Sequence, residues 1–160
     1  MPETHSETAA TIARILADLI AEHETLLQAA RAHRAALARA DRAAIAEAIR
    51  AQADSIERIR DLDTLRRNTF GQTISVLDLA ATLPDAPRRR VLELAARLRE
   101  IIQSVRDEQN IVAIASQSLL AHMEGMLQQV AARLNHAGTY GRLGRVDACS
   151  TVVSGIDLTR

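Results

Sequence analysis

The fold is decided by residues 87–140, which read PRRRVLELAARLREIIQSVRDEQNIVAIASQSLLAHMEGMLQQVAARLNHAGTY. Between Pro87 and Gly138 this stretch has no proline and a single glycine, Gly125. Its apolar residues recur every three or four positions, which places them on one side of a helix. The pattern predicts one helix over residues 87–137, about 70 Å long at a rise of about 1.5 Å per residue. The stripe comprises Val91, Leu94, Leu98, Ile101, Val105, Val112, Ala115 and Leu119. A helix of this length needs long partner helices to cover it.

The preceding residues supply two such partners, with apolar stripes that predict helices over about 5–39 and 42–82. Nothing in the sequence between them breaks a helix outright, but we favour a turn at Ala40–Asp41. The Asp41 carboxylate can accept a hydrogen bond from an exposed N–H group of the next helix. A kink or fray is expected near residues 68–71, where helix propensity falls. Pro84 and Pro87 end the second helix.

These elements predict an all-α fold, an elongated antiparallel bundle of three long helices. We expect one helical domain over residues 1–140, with the C-terminal part of the third helix projecting beyond its partners. Residues 141–160 contain Gly141, Gly144 and Gly155 and have no helical period. A flexible tail is expected there.

Composition narrows the range of functions. Twenty basic residues balance twenty acidic ones, so the net charge is 0, and this argues against a nucleic-acid binder. Phe70 and Tyr140 are the only aromatic residues, so stacking platforms for bases are absent as well. No apolar run is long enough to span a membrane, and the N-terminus lacks the features of a signal peptide. We expect a cytoplasmic protein without stable membrane insertion.

The sequence shows no pattern of an enzyme or a metal centre. Helical di-iron bundles use Glu-x-x-His motifs, and none of the five histidines has a glutamate three residues before it. Cys149 lies in the glycine-containing tail with no histidine close to it in sequence, which does not suit a catalytic nucleophile. We therefore predict no enzymatic activity, no metal and no cofactor.

A cluster of apolar residues near the end of the third helix covers more than the narrow stripe that one partner helix needs. Two of its members are methionines, whose flexible side chains suit surfaces that accept varied partners. The cluster is either a wide core stripe or a site for binding a partner helix. We call it the 119–134 face; its residues are Leu119, Leu120, Met123, Met126, Leu127, Val130 and Leu134.

Several motifs resemble the FlgN family of flagellar type III export chaperones, over most of the chain up to about Gly144. The most specific is Thr139-Tyr140-Gly141 followed by Gly144, directly after a long helix. Weaker similarities are Leu19-Ile20-Ala21-Glu22 with Leu26-Leu27, Ala36-Leu37 and Asp41; Ile56, Ile59, Leu62, Asp63 and Arg66; and Leu98-Arg99-Glu100, Asn110 and Leu119-Leu120.

The resemblance implies a cytoplasmic chaperone for the flagellar hook-associated (hook-filament junction) proteins. Such a chaperone binds the C-terminal helical segments of its clients, prevents premature assembly and delivers the clients to the type III export apparatus. Carried onto this sequence, client binding falls on the 119–134 face. Docking to the export gate falls on Tyr140, and the gate and ATPase components of the apparatus are the implied further partners. The alternative is a structural coiled-coil or bundle protein that acts by self-association as a homo-oligomer.

Overall fold

The computed structural model describes residues 2–71 and 75–137, with side chains described for 7–71 and 75–134. These residues form four helices and no strand: α1 (Pro2–Ala38), α2 (Arg42–Phe70), α3 (Val76–Ala81) and α4 (Asp85–Ala137). The all-α prediction with three long helices is confirmed. The predicted tail, residues 141–160, lies outside the described part of the chain. The chain divides into two units, Met1–Ser116 and Gln117–Arg160.

The turn between α1 and α2 forms at the predicted position. Ala40 adopts a positive φ of 50°, and the backbone N–H of Asp41 donates to the carbonyl of Ala36. Asp41 is the N-cap of α2, and its Oδ1 accepts a hydrogen bond of 3.1 Å from the N–H of Ala44. This contact satisfies one of the donors that a helix N-terminus leaves unpaired.

The predicted second helix over 42–82 is wrong in one respect, because α2 ends at Phe70 and a separate short helix follows. Gly71 has φ 96° and ψ 154°, a conformation that strongly favours glycine, and its N–H donates to the carbonyl of Arg67. A new helix then begins after Ser75. The Ser75 hydroxyl accepts from the N–H of Asp78, and the Asp78 carboxylate accepts from the Ser75 N–H, a capping box.

The first and last helices also differ from prediction at their starts. α1 begins at Pro2 rather than near residue 5. α4 begins at Asp85 rather than at residue 87, so Asp85 lies in its first turn. The carbonyl of Pro84 accepts the first bond of α4, from the N–H of Arg88. Pro87 fits inside this turn because the first helical N–H groups need no partner within the helix.

Helices α1 and α2 run antiparallel within the first unit. His33 near the end of α1 accepts from Gln52 near the start of α2, and Arg58 further along α2 donates to Glu22, earlier in α1, at 2.8 Å. The hydrogen bond with Glu22 raises the pKa of Arg58. As the residue numbers rise along α2, the numbers of their contact partners on α1 fall, which is the pattern of antiparallel helices.

Helix α4 runs parallel to α1 in the same unit. Arg97 donates to Glu24 at 3.2 Å, and further along both helices Glu108 pairs with Arg34 at 2.9 Å. The chain thus travels up α1, down α2 and up α4, with α3 at the lower end, as the antiparallel prediction requires.

The core of this unit has two apolar clusters. The lower cluster joins α1, the α3 segment and the start of α4, and the upper one joins the middle of α1 to α4, with α2 residues packed against it. Buried members are Ala9, Ile12, Leu16, Ala80, Leu83 and Val91 below, and Leu26, Ile101 and Val105 above. Each large buried side chain contributes about 1.5–3 kcal/mol of burial free energy, which holds the three helices together.

Small side chains form part of the interior along α1 and α2. Ala30, Ala36 and Ser55 are 0% exposed, whereas Ile49 and Leu65 on α2 are about half exposed at 50% and 48%. The distance between packed helices depends on the size of the residues at the contact. The apolar stripe of α2 is only partly buried, and the buried residues of this helix are Ala48 and Ser55.

Candidate functional site

The 119–134 face lies on α4 within the second unit, of which the structure describes residues 117–137. Leu119 is half-buried. The other six residues are exposed, from 48% for Met123 and Met126 to 67% for Leu127 and Leu134. None of the seven is a buried core residue. In this chain the seven residues are therefore exposed or half-buried, and a binding role for them stays a prediction.

The position of this face follows from the helical repeat of α4. In the first unit the buried residues Ile101, Val105, Glu108 and Val112 follow one another at intervals of three or four. A step of seven residues from Val112 leads to Leu119, and intervals of three and four then lead to positions 123, 126 and 130. The same apolar phase that builds the core therefore continues through residues whose side chains are exposed.

The chemistry of the face is apolar and nearly uncharged. Between residues 117 and 134 the only ionisable side chains besides His122 are Glu124 and Arg133. Burying exposed apolar surface is favourable by about 25 cal/mol per Å², and a binding free energy of this origin depends little on salt. The face thus suits the apolar side of an amphipathic helix.

Exposed apolar residues also occur just before this face, in the first unit. Ile111 and Ile114 are 43% and 68% exposed, and the sequence analysis did not select them. Their signal was available, because both isoleucines fall between the positions of the core series on α4. Leucine or isoleucine out of phase with a buried stripe indicates an exposed apolar side chain.

One buried charge accompanies the core series. Glu108 is 7% exposed, and its Oε1 lies 2.9 Å from Nε of Arg34, whose side chain is 48% exposed. The distance is that of an ion pair, but no donor among the described residues is aligned for a hydrogen bond to Oε1. The contact between Glu108 and Arg34 is therefore an ion pair without a hydrogen bond at Oε1. It ties α1 to α4 near the upper end of the first unit.

The part of the chain that the structure describes holds no group of three or more His, Cys, Asp or Glu residues placed to bind a metal. No helix among the described residues has the length and apolarity that a membrane crossing requires. Tyr140, the predicted docking residue for the export gate, lies outside the described residues, as does Cys149.

The amino-acid sequence matches one protein-family model over most of its length. The model described as FlgN protein matches residues 1–148, which includes all four helices and the Thr139–Gly144 motif. The chain belongs to the FlgN family. No significant match was found among curated proteins or among solved structures. FlgN proteins are chaperones of bacterial flagellum assembly, so this FlgN protein is a flagellar export chaperone in general function.

Proposed function

We propose that this FlgN protein binds the C-terminal helical segments of flagellar hook-associated proteins on its 119–134 face. The observation that carries the proposal is the exposure of six large apolar side chains on one stretch of α4. A polymerising client has amphipathic terminal segments that would self-associate if left bare, and covering such a segment prevents this. Binding in the cytoplasm prevents premature assembly and keeps the client competent for export by the type III apparatus.

The face supplies enough free energy for reversible capture. Complete burial of a leucine side chain is worth about 1.5–3 kcal/mol. Leu127 is 67% exposed in the free protein, so about 1.5 kcal/mol of this remains for a client to gain. Several such residues together offset the cost of ordering a flexible client segment. Release at the export apparatus then needs no nucleotide site in the chaperone.

Truncation of one exposed leucine tests the site. Leu127→Ala is expected to weaken binding of a hook-associated C-terminal segment about tenfold, since 1.4 kcal/mol is a factor of ten. Its free energy of unfolding should change by less than about 0.5 kcal/mol. Binding is measured by fluorescence anisotropy with a labelled client segment, and stability by urea unfolding. The mass of the complex comes from light scattering.

Two further variants are matched controls. Leu65→Ala removes a half-exposed leucine of α2 and should leave client binding unchanged. Ile101→Ala removes a 4% exposed core residue and should lower stability by about 2–4 kcal/mol. If Leu127→Ala destabilises the protein as much as Ile101→Ala, the residue belongs to a core and the proposal fails. A homo-oligomer that binds no hook-associated protein, and that Leu127→Ala dissociates, would favour the self-association alternative.

We also propose that Tyr140 docks the loaded chaperone to the export gate. The proposal rests on the family match, which extends through this residue, and on the separation of Tyr140 from the 119–134 face in sequence. Tyr140→Ala should retain client binding and reduce secretion of the client, whereas Tyr140→Phe retains the ring and should reduce secretion less. Equal loss of client binding and secretion would contradict this division of roles.

A further inference from the structure

A second surface lies in the first unit, where α3 packs beside α4. It is a groove of about 420 Å³, which we call the α3–α4 groove. Its apolar part includes Leu77 of α3, which is 55% exposed, and the half-buried Leu98 and Ile102 of α4. Arg99 and Arg106 also line it. The groove is therefore mainly apolar, with Ser75 and Gln103 as its uncharged polar residues, and carries two cations on the α4 side.

Neither arginine pairs with a carboxylate among the described residues of this unit. Both are exposed, no acidic residue lines the groove, and neither forms an ion pair with any residue that the structure describes. Acidic residues close to the arginines in sequence or on α3 already have partners. Glu100, which follows Arg99, lies 3.8 Å from Arg97. Asp107 accepts from Gln103, and Asp78 is bound to Ser75 in the capping box of α3.

Other grooves of this unit are arranged differently. In the groove between α1 and α4, Arg97 lies 3.2 Å from Glu24. In the groove between α1 and α2, Arg58 lies 2.8 Å from Glu22. Each of these cations has an opposite charge from the neighbouring helix. The α1–α4 groove also contains Arg31, which forms no ion pair with a described residue. The α3–α4 groove differs because both of its cations are unpaired among the described residues and no carboxylate lines it, while Leu77 beside them is exposed.

We propose that the α3–α4 groove binds an acidic amphipathic helix of a partner protein. The apolar side of the partner covers Leu77, Leu98 and Ile102, and its carboxylates pair with Arg99 and Arg106. The two arginines are seven positions apart, which is about 10.5 Å along α4 at about 1.5 Å per residue. A partner helix lying along α4 matches them with two acidic residues that are seven positions apart.

This surface is separate from the 119–134 face and has the opposite physical character. The 119–134 face has almost no charge, so client capture there should tolerate salt. Binding in the α3–α4 groove depends on two exposed ion pairs, which salt screens over a distance of about 8–10 Å at physiological ionic strength. The inference does not rest on the proposed client function, and the two sites fail or succeed independently.

Reversing the charges of a probe peptide, and then those of the two arginines, tests the proposal. The probe is a fluorescein-labelled helical peptide of about 18 residues, with a leucine stripe flanked by two glutamates seven positions apart. A second peptide has lysine in place of both glutamates. Anisotropy with the full chain in about 50 mM NaCl should show about tenfold tighter binding of the glutamate peptide, and the difference should shrink in about 500 mM NaCl.

The variant Arg99→Glu/Arg106→Glu should reverse this preference and bind the lysine peptide more tightly. Arg99→Gln/Arg106→Gln should abolish it. Leu77→Glu, which places a carboxylate at an exposed position of the groove, should weaken binding of the glutamate peptide at least about tenfold. Two exposed arginines outside the groove give the matched control: Arg88→Glu/Arg89→Glu changes the net charge equally and should keep the original preference.

Four results would overturn the proposal. The first is equal binding of the two peptides by the parent protein. The second is an unchanged preference in Arg99→Glu/Arg106→Glu. The third is loss of peptide binding in Leu127→Glu, which would place the peptide on the 119–134 face. The fourth is a dimer of the parent protein that Arg99→Glu/Arg106→Glu dissociates, which would make the occupant a second copy of this chain.

Discussion

Replacing Arg34 by methionine should destabilise the first unit, because the substitution leaves the carboxylate of Glu108 without its cation. Glu108 is 7% exposed and occupies a core position of α4 between Val105 and Val112. Removing one partner of a fully buried ion pair costs about 3–5 kcal/mol, since the remaining charge stays desolvated. The Arg34 side chain is 48% exposed, so solvent already screens this pair in part. We therefore expect a loss of about 1–3 kcal/mol for Arg34→Met.

Urea unfolding followed by circular dichroism measures this change, and thermal unfolding gives a second reading. At about 2–4 °C per kcal/mol for a chain of this size, a loss of 2 kcal/mol lowers Tm by about 4–8 °C. The double variant Arg34→Met/Glu108→Leu should return to within about 1 kcal/mol of the parent, because leucine fills the core position without a charge.

Arg97→Met is the control for this experiment. It removes the same charge from a second ion pair between α1 and α4, the one with Glu24, and both side chains of that pair are about half exposed. Its cost should stay below about 1 kcal/mol. The reasoning is refuted if Arg34→Met costs no more than Arg97→Met, or if the double variant is no more stable than Arg34→Met.

Replacing glycine by alanine should change the stability of the protein in opposite directions at two positions. Gly71→Ala is expected to cost about 1–3 kcal/mol of unfolding free energy in urea, because φ 96° with ψ 154° disfavours a side chain. Gly125→Ala should stabilise α4 locally by about 0.5–1 kcal/mol, since an added Cβ meets no atom within 4 Å and alanine is the better helix former. Slower amide hydrogen exchange around residue 125 would show the gain. A destabilising Gly125→Ala or a neutral Gly71→Ala would contradict these assignments.

Sequence reasoning predicted the long helices well because their apolar stripes are regular and because residues that begin or end helices lie at their boundaries. Asp41 and Pro84 mark helix boundaries close to where the structure has them. The break at Gly71 was expected only as a kink, because the apolar residues from Val76 to Leu79 continue the pattern. A sharper signal was present in Ser75 and Asp78, which are spaced as in a capping box.

Burial was harder to predict than helical phase. A stripe shows which side of a helix faces its neighbours, but it does not show how closely they approach. On α2 the fully buried position is Ser55, while Ile49 on the apolar stripe stays half exposed. Glu108 likewise occupies a core position of α4 where an apolar residue was to be expected. For the 119–134 face the sequence predicted a set of apolar residues on one stretch of helix, and the structure adds their exposures, which helical phase does not give.

The continuity of α4 has a consequence for how the 119–134 face is maintained. Starting a helix is unfavourable, whereas extending one adds a hydrogen bond for each residue that is fixed. The part of α4 that is packed in the first unit serves as a nucleus, and residues beyond Ser116 extend it without starting a new helix. The face is therefore already helical before a partner arrives. If a flexible segment folds against the face, as proposed above, only that segment has to be ordered. Its own helix propensity then sets much of the difference in affinity between one segment and another.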